Sequence, residues 1–313
     1  MAKEPKLPKH HYIPVFYLKQ WAPPKAVPGN GRLVEFSAPY NGIVKGQYKY
    51  PDATGYVRGL YRIPGLPDDK AELIESRFFK LVDDWASYAL AKLNRRHMDD
   101  WSAHMRSAWS RFLIALLIRS PKSVAEIKFR LVDGLPEHWE RERERLLRED
   151  PTSEPLGPFD QLASEQYAAL ALQRFIDNQN IGNFINAMDW SVLDVGGSKY
   201  RFLTSDRPIV MTNGVGVKGG HLAIAISPTN LFLAANDKQT TREIHAYNPL
   251  DVVRSYNKQV VRNAIKYVWA HDHSQVALVR AQFSIDSQND RSFFIPNDRK
   301  NVEESDLAKK LVV

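Results

Sequence analysis

The chain has 313 residues, with 43 Lys and Arg against 36 Asp and Glu, a formal net charge of +7 at pH 7. Hydrophobic residues make up 43% and charged residues 25%, which excludes a mostly disordered, collagen-like or fibrous chain. The absence of cysteine excludes disulfides, thiolate metal sites and a cysteine nucleophile. No apolar run approaches the ~18 residues that span a bilayer. The opening MAKEPKLPKHH is basic and lacks the apolar core of a secretory leader. The expectation is a cytoplasmic protein without a membrane partner.

In chain order, residues 1–66 read as extended chain and hairpins. RLVEFSA alternates like a strand, and Asn41-Gly42 supplies a turn. Residues 67–188 read as helical. Asp68 and Asp69 after Pro67 suit a helix N-terminus. Ile74, Phe78, Leu81, Trp85 and Ala89 then recur at helical spacing and predict one buried face. A second helix begins near Asp99 and buries Trp101, Met105, Ala108, Phe112 and Ala115. It stops at Arg119-Ser120-Pro121 because proline disfavours helix in the residue before it. Ser120 is placed to cap the helix that follows. EHWERERERLLRE is a charged, solvated helix with ion pairs one turn apart. Residues 159–188 form a long helical pattern with a break predicted near Gly182.

Residues 189–290 turn to strands. WSVLDV and KYRFLTSD flank Gly196-Gly197 and predict a hairpin. PIVMT, HLAIAIS and LFLAA are further strands, a helix opens at Pro249, and KYVWAH and QVALVRAQFSI read as strands. Strands, then helices, then a mainly antiparallel sheet with one helix make an α+β fold. A single domain with a tail at 291–313 is expected.

The chemistry-bearing residues concentrate in KHHYIPVFYLK at the start. Neighbouring residues of a strand face opposite sides, so His10 and His11 would not bind one metal together. A histidine suits acid–base work near neutral pH. Tyr12 and Tyr17 could hydrogen-bond a phosphate, and Lys19 could neutralise one. Thr204-Ser205-Asp206-Arg207-Pro208 offers two hydroxyls and a carboxylate in succession, although Asp before x-Pro also makes an ordinary turn. Arg119 ends an apolar helix face and needs an anionic partner, either Glu75 or a substrate phosphate. His271-Asp272-His273 places two imidazoles on one strand side, a two-ligand metal seat or a solvated turn. The Gly214–Gly220 loop lacks the phosphate-cradling patterns.

These blocks carry a resemblance. KHHYIPVFYLKQWA and FLTSDRPIV are similar to the His-His-Tyr-Ile/Val-Pro opening and the Thr-Ser-Asp-x-Pro block of the domain-of-unknown-function 4238 family. Softer matches are Ile74-Glu75, Arg119, Ile226-Ser227-Pro228 and NKQVVRNAIKYV. The family carries no assigned activity, so the resemblance bears on extent and architecture. The His-His-x-x-Pro start also resembles the first strand of His-Asn-His nucleases, but the next histidine, His97, falls in a helical pattern.

The functional expectation is a hydrolase acting on nucleic acid or nucleotides, of nuclease type, in a setting of bacterial or phage conflict by analogy. His10 or His11 would be the general base or a metal ligand. Asp206 would orient that histidine or, with His11, hold a divalent cation such as Mg²⁺ or Mn²⁺. Arg119 and Lys19 would stabilise phosphate charge, with Tyr12, Tyr17, Thr204, Ser205 and Arg207 positioning the substrate. The rival is a noncatalytic module that binds protein or RNA, in which both blocks serve only the fold.

Overall fold

A computed structural model describes residues 7–24, 30–39, 42–96, 101–133, 135–149, 159–212 and 217–286. The chain opens with β1 (Lys9–His11), a short helix α1 (Val15–Leu18), β2 (Leu33–Ser37), β3 (Lys45–Lys49) and β4 (Tyr56–Arg58). Helices follow: α2 (Asp68–Ala71), a π-helical turn (Ile74–Phe79), α3 (Lys80–Asn94), α4 (Ala103–Ile118), α5 (Pro121–Asp133), α6 (Leu135–Glu149), α7 (Gln161–Ile176) and α8 (Gln179–Ala187). The C-terminal part holds β5 (Asp189–Asp194), β6 (Thr204–Ser205), β7 (Val210–Thr212), β8 (His221–Ala225), β9 (Asn230–Ala235), α9 (Lys238–Ala246), α10 (Pro249–Asn263), β10 (Val268–Ala270) and α11 (Val276–Gln282). This is the expected α+β architecture. Among the described residues no helix is long and apolar enough to cross a membrane.

The strands make three antiparallel arrays: β1 with β4, a sheet ordered β3-β2-β10-β6, and a sheet ordered β5-β9-β8-β7. The largest apolar cluster draws Tyr17 and Trp21 from the start of the chain, Trp109 and Phe112 from α4, and Phe202, Phe232 and Trp269 from the end. The first and last segments are therefore packed together rather than in series.

Four local expectations are corrected. The predicted hairpin at Gly196-Gly197 does not form: β5 pairs with β9 over Asp189–Asp194, while β6 crosses to β10 in the other sheet. The intervening chain is held by Phe202 N–H donating to the Pro228 carbonyl (2.8 Å) and Leu203 N–H donating to Asn257 Oδ1 (2.9 Å). The run QVALVRAQFSI is helical in α11, where Val279 is buried against the second apolar cluster; a short apolar run does not by itself distinguish strand from helix. The break in 159–188 lies at Asp177-Asn178, not at Gly182. There Asn178 Oδ1 accepts the Ile181 N–H (3.1 Å), capping α8, and Gly182 sits inside that helix.

The fourth correction has the widest effect. In α3 the buried residues are Val82, Ala86, Ala89, Leu90 and Leu93, whereas Leu81 and Trp85 point outward at 57% and 42% exposure. The π turn is the cause. Its wider winding accommodates one extra residue, so the buried side passes from Ile74 to Phe79 in five steps. A face counted at 3.6 residues per turn from Ile74 is then displaced by about 100° beyond that point.

Candidate functional site

Strand alternation and the β1–β4 pairing turn His10 inward and His11 to the other side, with His11 opposite Tyr56. His10 is completely buried. Its Nδ1 accepts the Tyr61 N–H at 2.9 Å, and its Nε2 lies 2.6 Å from Glu72 Oε2. An amide can only donate, so Nδ1 is bare and the ring proton sits on Nε2, given to Glu72. The ring stacks on Tyr61 at 5.6 Å, and Glu72 is shared with Arg62 at 3.0 Å. Burial lowers the pKa of His10 against the opposing pull of Glu72. Both nitrogens are engaged, so His10 has no free atom for proton transfer.

His11 differs. Its Nε2 is buried without a hydrogen-bond partner, and its ring packs against Tyr56 at 5.4 Å. Burial also lowers its pKa, over the opposing effect of the Asp52 carbonyl. The imidazole is thus neutral near pH 7.

Arg119, at the end of α4, reaches the backbone of this residue. Its Nη2 donates to the His11 carbonyl at 2.5 Å, and the two terminal nitrogens grip Asp83 at 2.8 and 3.2 Å. The guanidinium lies 4.6 Å from the centre of the Phe79 ring. The Arg119 backbone carbonyl accepts the Tyr61 hydroxyl at 2.6 Å. Burial would lower the arginine pKa, but Asp83 foremost among its neighbours carries it above the ordinary value. Arg119 Nε is buried and unpaired.

Glu75 completes the cluster from the π turn. Its Oε2 is buried and unpaired. Burial raises its pKa to about 7, against the opposing effects of Arg119 and of the His11 backbone amide. Three unpaired polar atoms, from His11, Glu75 and Arg119, therefore belong to residues that interact with one another. Unpaired buried polar atoms are rare in folded proteins and mark a place for water or a ligand.

The folded pKa of Glu75 lies above its ordinary 4.5, so the native state holds this proton more tightly than the unfolded chain. Stability should therefore fall as pH rises from about 4.5 to about 7. Glu75→Gln, which resembles the protonated form, should flatten that part of the melting-temperature profile; an identical slope in wild type and variant would refute the assignment.

The Thr-Ser-Asp block meets the histidine block, but through other atoms than expected. The Tyr17 hydroxyl lies 2.8 Å from Thr204 Oγ1 and donates to the Ala225 carbonyl at 2.7 Å. Trp21 Nε1 donates to the Phe202 carbonyl at 2.8 Å. Asp206 Oδ1 accepts the Ile265 N–H (2.9 Å), and Oδ2 accepts those of Lys266 (2.6 Å) and Tyr267 (3.3 Å). Burial raises the pKa of Asp206 to about 6 against these three amides. Neither histidine is a hydrogen-bond partner of Asp206, and the carboxylate is turned to backbone, not to a shared cation site with His11. Ser205 Oγ accepts the Arg207 N–H at 3.1 Å, a local turn. Tyr12 is buried, and burial raises its phenol pKa, with Asp206 the next contributor. Lys19 lies apart, on a cavity beside α3.

Among the described residues no three His, Cys, Asp or Glu are grouped to hold a metal ion. The His271-Asp272-His273 segment is a turn: Asp272 Oδ1 accepts the Ser274 N–H at 2.8 Å, and His273 packs edge-on against Tyr48 and Phe36. His97 and Gly214 lie outside the described residues.

The structure thus brings His11 and Arg119, both singled out by the sequence, together with Glu72, Tyr61 and Asp83, which the sequence did not single out. Glu72 and Glu75 stand three apart in a helical stretch, hence on neighbouring positions of one face, and this was the signal available for them. The comparisons with known proteins bear on the family alone. No curated protein and no solved structure matches the chain. The family described as "Protein of unknown function (DUF4238)" matches residues 9–274. That span includes both sequence blocks, the π turn and Arg119, and the chain belongs to this family.

Proposed function

We propose that the chain is a hydrolase acting on phosphodiester or phosphoanhydride bonds of nucleic acid or nucleotides, with His11 and Glu75 as its acid–base pair. The observation that carries the reading is the pair of buried, unpaired atoms, His11 Nε2 and Glu75 Oε2, in two residues that both interact electrostatically with Arg119. Their protonation states suit the task. A neutral imidazole accepts a proton from the attacking water, and a carboxyl group with a pKa of about 7 donates one to the departing oxygen as the P–O bond breaks. Arg119 Nε–H is left to meet developing oxygen charge. His10, Tyr17, Thr204, Ser205 and Asp206 are positioning residues in this scheme. The net charge of +7 favours an anionic substrate, and the absence of cysteine agrees with a cytoplasmic site of action.

The test is incubation of purified protein with RNA, single- and double-stranded DNA and nucleotides, with and without Mg²⁺ or Mn²⁺. His11→Ala and Glu75→Gln should each lower the rate on the order of 10²–10⁴-fold. The wild-type pH profile should fall above about 7 as Glu75 ionises, and Glu75→Gln should lose that limb. Equal activity in both variants, or none in wild type on any substrate, refutes the reading. The rival, a noncatalytic binding module, is favoured by one observation: the polar groups of His10, Tyr17 and Asp206 are all engaged in internal hydrogen bonds. It gains if no substrate is turned over.

A further inference from the structure

We propose that the outward face of α3, with the cavity beside it, binds single-stranded nucleic acid. The π turn leaves Leu81, Trp85 and Tyr88 on one exposed stripe, Trp85 at 42% and Tyr88 at 65% exposure. The Trp85 and Tyr88 rings stand 6.1 Å apart, and His104 of α4 braces the indole edge-on at 4.5 Å. Residues at i, i+3, i+7 and i+10 from Trp85 continue this side of the helix, so the stripe runs through Tyr88 and Lys92 to Arg95.

Arg95 is also on the rim of a cavity of about 400 Å³, floored by Phe16 and Leu90 and bordered by Lys19. Among the described residues neither the Lys19 nor the Arg95 side chain has a hydrogen bond or ion pair, whereas Gln20 and Asn94 at the same cavity bond each other at 3.1 Å. Among the described residues the exposed carboxylate beside Trp85 is Asp84, and Lys19 and Arg95 are both exposed cations.

Open aromatic rings beside the cations of Lys19 and Arg95 are what a single strand requires. Its bases offer flat faces for stacking, and its phosphates meet the positive groups. A protein partner could cover the rings but would leave Lys19 and Arg95 without their complement. A duplex hides its base faces and would use only the charges.

The inference deepens the hydrolase reading by naming the form of its substrate, yet it concerns binding, so the two fail separately. Full-length protein is titrated by fluorescence anisotropy against labelled single strands of about 12 nucleotides, oligouridylate in one arm and oligothymidylate in another, with a matching duplex as competitor. The His11→Ala protein is run in parallel to prevent cleavage. Both strands should bind more tightly than the duplex; a preference for one of them distinguishes RNA from DNA. The double variant Trp85→Ala/Tyr88→Ala should weaken binding by roughly tenfold or more, with Tyr88→Phe retaining it. Lys19→Ala/Arg95→Ala should flatten the dependence of log affinity on log salt by about 0.7 per cation removed. All four side chains reach solvent or the cavity rim, so unchanged circular dichroism melts check that the fold is intact.

Absence of single-strand binding by wild type, or affinity unchanged in both double variants, overturns the proposal. Self-association that depends on Trp85 and Tyr88, seen by ultracentrifugation in a protein indifferent to oligonucleotides, assigns the face to a second copy and overturns it as well. Binding of this pattern without turnover of any substrate upholds it while refuting the hydrolase reading.

Discussion

Replacing Asp206 by alanine is expected to lower the unfolding free energy by about 3–5 kcal/mol, as three buried amide donors lose their acceptor together. The carboxylate takes the N–H groups of Ile265, Lys266 and Tyr267 in succession, and so shapes the entry to β10. That strand is in turn the centre of its sheet, between β2 and β6. A loss of this size is a large share of the 5–15 kcal/mol that holds a typical domain together. Asn is not a remedy, because its amide nitrogen would face one set of these donors. Urea titration measures the effect. If Asp206 were a catalytic group and not a scaffold, Asp206→Ala would instead abolish activity with little change in the unfolding midpoint.

The second large effect is expected at Arg119. Arg119→Met should destabilise the protein by about 3–5 kcal/mol, since it strands the Asp83 carboxylate without its partner and frees the His11 carbonyl that Nη2 holds. Lysine should not substitute, because a point charge cannot reproduce the two-pronged grip on Asp83. Adding Asp83→Leu to Arg119→Met should recover most of the stability, as the uncompensated charge is removed. It should not recover hydrolysis, because Arg119 also holds β1 through the His11 carbonyl and supplies the charge proposed to meet the phosphate. Denaturant unfolding and turnover, measured on the same three proteins, separate the two roles. A double variant as active as wild type would remove Arg119 from the site.

Much of the architecture was legible because local rules acted alone. Ser120 caps α5 through its Oγ, which accepts the Ser123 N–H at 3.1 Å, and Pro121 opens that helix. The end of α4 before Pro121 follows in the same way, whereas its start lies at Ser102, whose side chain accepts the Met105 N–H, and not near Asp99. Where a second element decided the outcome, the sequence was silent. Nothing in residues 189–206 announces that β5 must pair with β9 while β6 joins another sheet. The π turn was also invisible, since one additional residue in a helix changes neither composition nor charge. Yet it decides which side of α3 is buried. The histidine strand illustrates the same limit for the site. Its strand geometry separates His10 from His11, as alternation requires, but the acidic partner came from Glu72, sixty-two positions on, and not from Asp206. A carboxylate's target depends on the backbone amides around it, and those are fixed only in three dimensions.

The pairing of β2 with β10 also sets an order of events during synthesis. His271, just past β10, lies 3.3 Å from the Trp21 carbonyl, 250 positions earlier, and Trp269 Nε1 reaches Thr54 Oγ1 at 3.0 Å. While the ribosome is still translating the helical part, β2 has no β10 to join, and one edge of the β2–β3 hairpin stays open. Such long-range closure slows folding and leaves a sheet edge available to other chains. Prematurely terminated products ending before Val268 should accordingly accumulate as aggregates or proteolytic targets.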